Sequence, residues 1–218
     1  MRFRVPLLVL GILALGLVVA QLVLPGIAEQ RLRDRLARHG RVLEVSVSAF
    51  PAIELLWHRA DHVVVRMASY SSSASSLQST IGQVADTGSL DASARSLHAG
   101  LLSVHDATLR KRGGELTASG GVTEADLRSA LPILDSVTPV GSAGGELTLQ
   151  GTGTFLGLTA TVDATVRPDS GTLVVSPDVP FGALATITLF SNPAIAVQSV
   201  SATPDTGGFT ATVRARLR

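Results

Sequence analysis

Apolar and polar residues alternate along most of the chain after residue 41, which is the pattern of β-strands with one buried face. The clearest case is GFTATVRARLR, in which Phe209, Ala211, Val213, Ala215 and Leu217 fall on one face. The same alternation predicts strands at VLEVSVSAF, HVVVRMAS, GELTLQGTGTF, LTATVDATVRP, GTLVVSP, LATITLF and IAVQSVSAT. Such strands must cover their apolar face with a helix, a sheet or a ligand, so we predict a β-dominated domain over residues 41–218.

Short helices and turns interrupt the strand pattern. IAEQRLRDRLARHG, within residues 25–40, predicts an amphipathic linker helix that is either solvated or placed at the level of lipid headgroups. TEADLRSALP predicts a helix that Thr123 caps, with Asp126 in the capping-box position. LLSVHDATLRKRGGELTASGGV predicts a hairpin with its turn at KRGG, whereas LPILDSVTPVGSAGG predicts a loop. In the serine-rich residues 69–100, the spacing of Leu77, Ile81 and Val84 fits a short helix, but the serines make it a poor one.

The N-terminus carries a long apolar segment. Residues 5–24 contain one polar side chain, Gln21, and follow the basic residues Arg2 and Arg4. About 20 helical residues span the roughly 30 Å hydrocarbon core of a bilayer. We therefore predict a signal anchor or a signal peptide over residues 1–24. Cleavage near Ala20 remains open, although the apolar run continues past it and favours an anchor.

The polar residues show no pattern typical of an enzyme or a metal site. Glu54, His58 and His62 have a helical metal-ligand spacing, but they fall in a turn and a strand, where residues four apart are about 13 Å apart. His105 and Asp106 are neighbours on a strand, so their side chains point to opposite faces. The net charge is +1 and cysteine is absent, which argues against nucleic-acid partners and excludes disulfides. We predict no catalytic residue, no metal and no cofactor.

Two stretches carry a resemblance to a known family. The first leads from Phe50 and Pro51 through AIELLW into ADHVVVRM, and the second is the strand-to-helix step GGVTEADLRSALP. Together with the apolar N-terminus and the segment IAEQRLRDRL, they resemble the LmeA-like phospholipid-binding family of the actinobacterial cell envelope over residues 22–217. The resemblance implies an α+β fold dominated by β-structure, in which a strongly curved antiparallel sheet wraps around short helices. It also implies an extracytoplasmic domain, although the arginines after residue 24 alone would favour the cytoplasmic side.

The resemblance further implies that the domain holds phospholipid acyl chains in an apolar groove and supports lipid or glycolipid maturation or transport in the envelope. Its partners would be phospholipid and the membrane, with the chain anchored or released into the envelope. The alternative is a non-catalytic structural or interaction module without a lipid ligand. Arg214 and Arg216 would contact headgroups, or else protect a solvent-facing or edge strand. Local apolarity selects as groove residues Phe50, Ile53, Leu55, Leu56, Trp57, Leu131, Ile133 and Leu134.

Overall fold

The computed structural model describes residues 24–49, 60–72, 87–99, 102–130, 135–155, 158–179 and 186–218. In these ranges, helix α1 covers residues 24–37 and helix α2 covers Glu124–Ala130. The strands are β1 (Val42–Ser48), β2 (Ala60–Ser72), β3 (Thr87–Ala99), β4 (Leu102–Arg112), β5 (Glu115–Thr123), β6 (Ser136–Ala143), β7 (Glu146–Phe155), β8 (Leu158–Asp169), β9 (Thr172–Pro177), β10 (Ile187–Phe190), β11 (Ile195–Asp205) and β12 (Gly208–Leu217). The predicted β-dominated fold with few short helices is confirmed.

The strands form two sheets, whereas the family resemblance implied one curved sheet. The first sheet has seven strands in the order β1-β2-β3-β4-β5-β12-β11, and the second has five in the order β10-β9-β8-β7-β6. Strands β2 and β3 run parallel. Parallel neighbours need a long connection, and here residues 73–86 separate the two strands in sequence. The other described pairings are antiparallel.

Two parts of the sequence interpretation were wrong. The stretch expected to be a loop after α2 contains β6, which pairs with β7 along most of its length. The serine-rich stretch after Ser69 contains β3, a complete strand between β2 and β4. Both strands carry few large apolar side chains, so their backbone hydrogen bonds to neighbouring strands decide the conformation more than their own pattern does. The helical pattern of Leu77, Ile81 and Val84 lies outside the described residues.

Helix α1 packs on the beginning of the first sheet. Its apolar stripe contacts the cluster of buried residues on β1, β2 and β3, while its arginines remain exposed. The Glu29 carboxylate also accepts a hydrogen bond from the backbone N–H of Val47 at 3.0 Å. That N–H lies on the outer edge of β1, so α1 covers both part of the apolar face and part of the free edge. The stripe residues in contact with the sheet are Ala28, Leu32 and Leu36.

The alternation of inward-facing and outward-facing residues is shifted by one position within β2, β3 and β4 of the first sheet. On β2 the buried positions Val65 and Met67 are followed by Tyr70, at a spacing of three where a regular strand has two. On β4 the pairing with β5 shifts between His105 and Thr108, which marks a β-bulge. Asp106 lies in this bulge with a φ of 47°, a conformation that aspartate tolerates better than most residues.

The second sheet contacts the edge of β11 through its turns. The N–H groups of Val197 and Val200 donate to the carbonyl oxygens of Gly171 and Gly145, at 2.9 Å and 2.8 Å. Gly171 belongs to the β8–β9 turn and Gly145 to the β6–β7 turn. The second sheet therefore satisfies an edge that would otherwise be open to another strand. A shared apolar cluster of Leu147, Val166 and Val200 packs behind these hydrogen bonds.

The predicted capping box of α2 is confirmed. Thr123 Oγ1 accepts a hydrogen bond from the Asp126 N–H at 3.2 Å, and the Asp126 carboxylate accepts one from the Thr123 N–H at 3.3 Å. His105 Nε2 lies 3.0 Å from the same carboxylate, which joins α2 to β4. Hydrogen bonds from Thr123, followed by the His105 contact, lower the pKa of Asp126 from its ordinary value of 3.8.

Acid should weaken the fold through this carboxyl. A lowered folded-state pKa means that Asp126 stabilises the protein above its unfolded pKa and loses that contribution as the pH falls through its folded pKa. We expect the free energy of unfolding to decrease as the pH falls from about 5 to about 2. Asp126→Asn should reduce the slope, because asparagine does not titrate. Chemical denaturation at stepped pH values measures this, and an unchanged slope in the variant would contradict the assignment.

The two glycines of the β6–β7 turn should differ in their tolerance of alanine. Gly144 and Gly145 have φ values of 63° and 86°, so an alanine at either position costs about 1–2 kcal/mol of backbone strain. A β-carbon at Gly145 would also lie 3.1 Å from the β-carbon of Ser199, whereas none of the described atoms lies within 4 Å of one at Gly144. We expect Gly145→Ala to destabilise the protein by about 1 kcal/mol more than Gly144→Ala in chemical denaturation. Equal losses would show that the turn does not press on β11.

Candidate functional site

A band of small residues crosses the inward face of the first sheet. In register, Ala94 lies beside Ala107, and Gly120 lies beside Ala211, which in turn lies beside Ala202. A β-carbon built on Gly120 would lie 3.5 Å from the Cα of Ala107, which brings the two halves of the band together, and closer still to Cγ1 of Val104, whose side chain lies over Gly120. Five neighbouring strands at about 4.8 Å spacing give the band a length of roughly 19 Å. We name the following set the alanine trough: Ala94, Ala107, Ala118, Gly120, Ala202 and Ala211.

Larger apolar side chains border the alanine trough on both sides. Leu109 and Val213 lie on one side, where they flank Ala118 in register, and Val65 continues the same row through Ala92. Val122 and Phe209, both buried, lie on the other side along β5 and β12. Alanine projects much less volume than these residues, so the face is lower at the alanines of the trough than at its borders, whereas the Val104 side chain covers Gly120.

The middle of the trough lies between the elements that cover the rest of the face, whereas Ala94 and Ala202 at its two ends pack against the covered clusters. Helix α1 covers the cluster on β1–β3, and the second sheet covers the clusters that include Leu116 and Val200. Ala107 and Ala118 are partly exposed and belong to none of these clusters in the described part of the chain. The middle of the inward face is therefore apolar and incompletely packed.

A buried cation lies on the same face. Lys111, the only lysine in the sequence, is 2% exposed and stands in register between Leu90 and Leu116. Its ammonium group donates a hydrogen bond to the carbonyl oxygen of Thr87 at the beginning of β3. The apolar face thus contains a buried lysine. It lies near the end of β4, in the row of larger residues.

The outward face of the first sheet is polar and charged. Asp91 accepts a hydrogen bond from Arg112 at 2.8 Å, and Arg110 and His62 approach it at 3.7 Å and 3.9 Å. The Arg112 hydrogen bond is the main reason why the pKa of Asp91 is lowered from 3.8. His62 Nδ1 also lies 2.8 Å from the Ser89 hydroxyl. Within the described ranges, no three His, Cys, Asp or Glu residues form a group that could hold a metal ion.

Arg214 and Arg216 also lie on the outward face. Both are exposed on β12, where Ala215 between them is buried on the inward face. Strand β12 pairs with β5 on one side and β11 on the other, so it is an interior strand; the edge half of the alternative is excluded, and protection of a solvent-facing strand remains. Their predicted contact with headgroups remains a prediction. The thickness of the sheet separates both side chains from the alanine trough.

The groove residues selected from the sequence lie outside the described residues. They are Phe50, Ile53, Leu55, Leu56, Trp57, Leu131, Ile133 and Leu134. The predicted signal anchor or signal peptide over residues 1–24 also lies outside them, except for residue 24. Among the helices that the structure describes, none is long and apolar enough to cross a membrane.

The sequence interpretation missed two features of this site. The alanine trough was not identified, because each alanine counts only as a weak apolar position in its own strand. The contact between His105 and Asp126 was missed because it joins a strand to a helix across 21 positions of sequence. The capping-box pattern predicted the position of Asp126 at the start of α2. The position of His105 beside it depends on the register between β4 and β5, which the sequence pattern does not give.

Comparison with known proteins gives one match. The model of the LmeA-like phospholipid-binding family matches residues 16–210, which is nearly the whole chain. No curated protein and no solved structure matches. The match extends from the segment before α1 to the first residues of β12, and so includes the trough residues of β3, β4, β5 and β11 but ends just before Ala211. The chain therefore belongs to the LmeA-like phospholipid-binding family.

Proposed function

We propose that the protein binds phospholipid with acyl chain placed along the alanine trough, and that it acts in the cell envelope without catalysing a reaction. The observation that carries this proposal is that Ala107, Ala118 and Ala211 are partly exposed and lie between the covered parts of the apolar face. Family membership supports phospholipid as the ligand. An acyl chain that leaves the bilayer loses its contacts with other acyl chains, and contacts with the apolar residues of the trough can replace them.

The length of the trough fits one acyl chain. A bilayer core of about 30 Å holds two leaflets, so one chain occupies roughly 15 Å of its depth. The trough extends for roughly 19 Å across five strands. Each CH₂ group that leaves hydrocarbon for water costs about 0.8 kcal/mol, so a binding site must cover most of the chain. Contact along the trough meets this requirement, because its borders are valine, leucine and phenylalanine.

The envelope location rests on the N-terminal segment. Residues 5–24 are long and apolar enough to reach across a bilayer, and two arginines precede them. We infer that this segment exports the domain and either anchors it in the membrane or is removed near Ala20. An exported lipid-binding domain would take phospholipid from the membrane surface and support lipid or glycolipid maturation or transport in the envelope.

Filling the trough should remove the lipid. Ala118 is partly exposed on the inward face of β5, and the adjacent Thr117 lies on the outward face of the same strand. We expect Ala118→Phe to lower the phospholipid that co-purifies with the full chain by at least about fivefold, because the ring occupies the space of the acyl chain. Thr117→Phe, the matched control, should leave the phospholipid content unchanged. Lipid extraction followed by mass spectrometry measures the ratio of phospholipid to protein.

Two results would contradict the proposal. One is an unmodified protein that folds fully and carries no phospholipid. The other is an Ala118→Phe variant that keeps its lipid while its thermal unfolding matches that of Thr117→Phe. Comparing the unfolding of both variants separates a blocked site from a damaged fold.

A further inference from the structure

A polar cleft lies where the β6–β7 turn meets the outward face of β11 and β12. Gly144 and Gly145 of the turn form one wall, and Ser199, Ser201, Thr212 and Arg214 line the strands opposite. The Gly145 carbonyl accepts a hydrogen bond from the Val200 N–H at 2.8 Å, which fixes the turn against β11. No carboxylate lines this cleft in the part of the chain that the structure describes. Its polar lining is therefore one guanidinium group with hydroxyl and backbone groups around it.

Arg214 differs in its neighbours from Arg66, Arg110, Arg112 and Arg216 on the outward face. Arg66 pairs with Glu44, and Arg110 and Arg112 approach Asp91. Arg216 lies in register with Glu115 on β5. Arg214 lies in register with Thr117 on β5 and Ser199 on β11, and forms no ion pair with the described residues.

The composition of the cleft suits a phosphate group. A guanidinium group can donate two parallel hydrogen bonds to two phosphate oxygens, and such charge-assisted bonds are stronger than neutral ones. The hydroxyl groups of Ser199, Ser201 and Thr212 supply further donors on the same side. The missing carboxylate matters equally, because an acidic side chain would repel an anion and compete for the guanidinium group.

We propose that this cleft is a phosphate-binding site, which takes either the headgroup of a phospholipid at the membrane surface or a soluble phosphate compound. The site is separate from the alanine trough, since the first sheet lies between them. A phospholipid whose chain lies in the trough therefore does not reach the cleft with its own headgroup across the sheet.

Calorimetric titration of the full chain in an uncharged detergent tests the proposal. One arm uses inorganic phosphate, and the other uses glycerophosphoglycerol, a phosphodiester like a lipid headgroup, both at constant ionic strength. We expect saturable binding that Arg214→Ala weakens at least about tenfold and Arg216→Ala, the matched control on the same strand, weakens less than about twofold. Tighter binding of the phosphodiester identifies a lipid headgroup as the source, and tighter binding of inorganic phosphate identifies a soluble compound.

Absence of saturable binding in both arms overturns the proposal. An equal loss in the two arginine variants also overturns it, because that result indicates attraction to general surface charge. Arg214→Lys should restore part of the affinity, since lysine keeps the charge but not the paired donors. Ala118→Phe should leave phosphate binding intact. The experiments therefore distinguish failure of the proposed acyl-chain site from failure of the proposed phosphate site.

Discussion

The edge of β11 is the contact on which the arrangement of the two sheets depends. Val197 and Val200 would otherwise present unpaired N–H groups to solvent, and two glycine carbonyls from separate turns satisfy them. Only turns with left-handed residues bring these carbonyls to the strand, and Gly145 and Gly171 both have positive φ. Once the turns are fixed, Leu147 and Val166 reach the inward face of the first sheet. The same contact places the β6–β7 turn over the outward face. It therefore positions both the second sheet beside the alanine trough and the wall of the polar cleft.

The two faces of the first sheet serve different chemistry because its strands alternate strictly across β5 and β12. On β12 the residues Val213 and Ala215 face inward, while Arg214 and Arg216 face outward. Hydrocarbon and phosphate would therefore be recognised on opposite sides of a single layer. In the proposed phosphate site, the charged side would meet the membrane surface or a soluble phosphate compound. In the proposed function, the apolar side would shield an acyl chain. Neither role requires the other, which is why they can be altered by separate substitutions.

The sequence predicts the strands with large alternating side chains and misses those without them. The alternation predicted β12 and the β7–β8 hairpin, and the glycines after Arg112 predicted the β4–β5 turn. Strands β3 and β6 are built largely from serine, alanine, glycine and threonine, so their conformation comes from neighbouring strands. The trough has the same origin. Its residues lie on five strands far apart in sequence, and only the register between those strands makes them adjacent.

The alanine trough is also costly for a protein that binds nothing there. Protein interiors are packed as densely as organic crystals, and replacing a buried leucine by alanine commonly costs 2–5 kcal/mol. A filled core would place larger side chains at Ala107 and Ala118, as the same face does at Leu90 and Leu116. Here the Val104 side chain, next to the bulge at Asp106, lies over Gly120 and fills the space there. The space over the neighbouring alanines is not filled in this way by the described residues. A ligand that supplies hydrocarbon to this gap restores the missing contacts, and a phospholipid acyl chain has the length and the apolarity to do so.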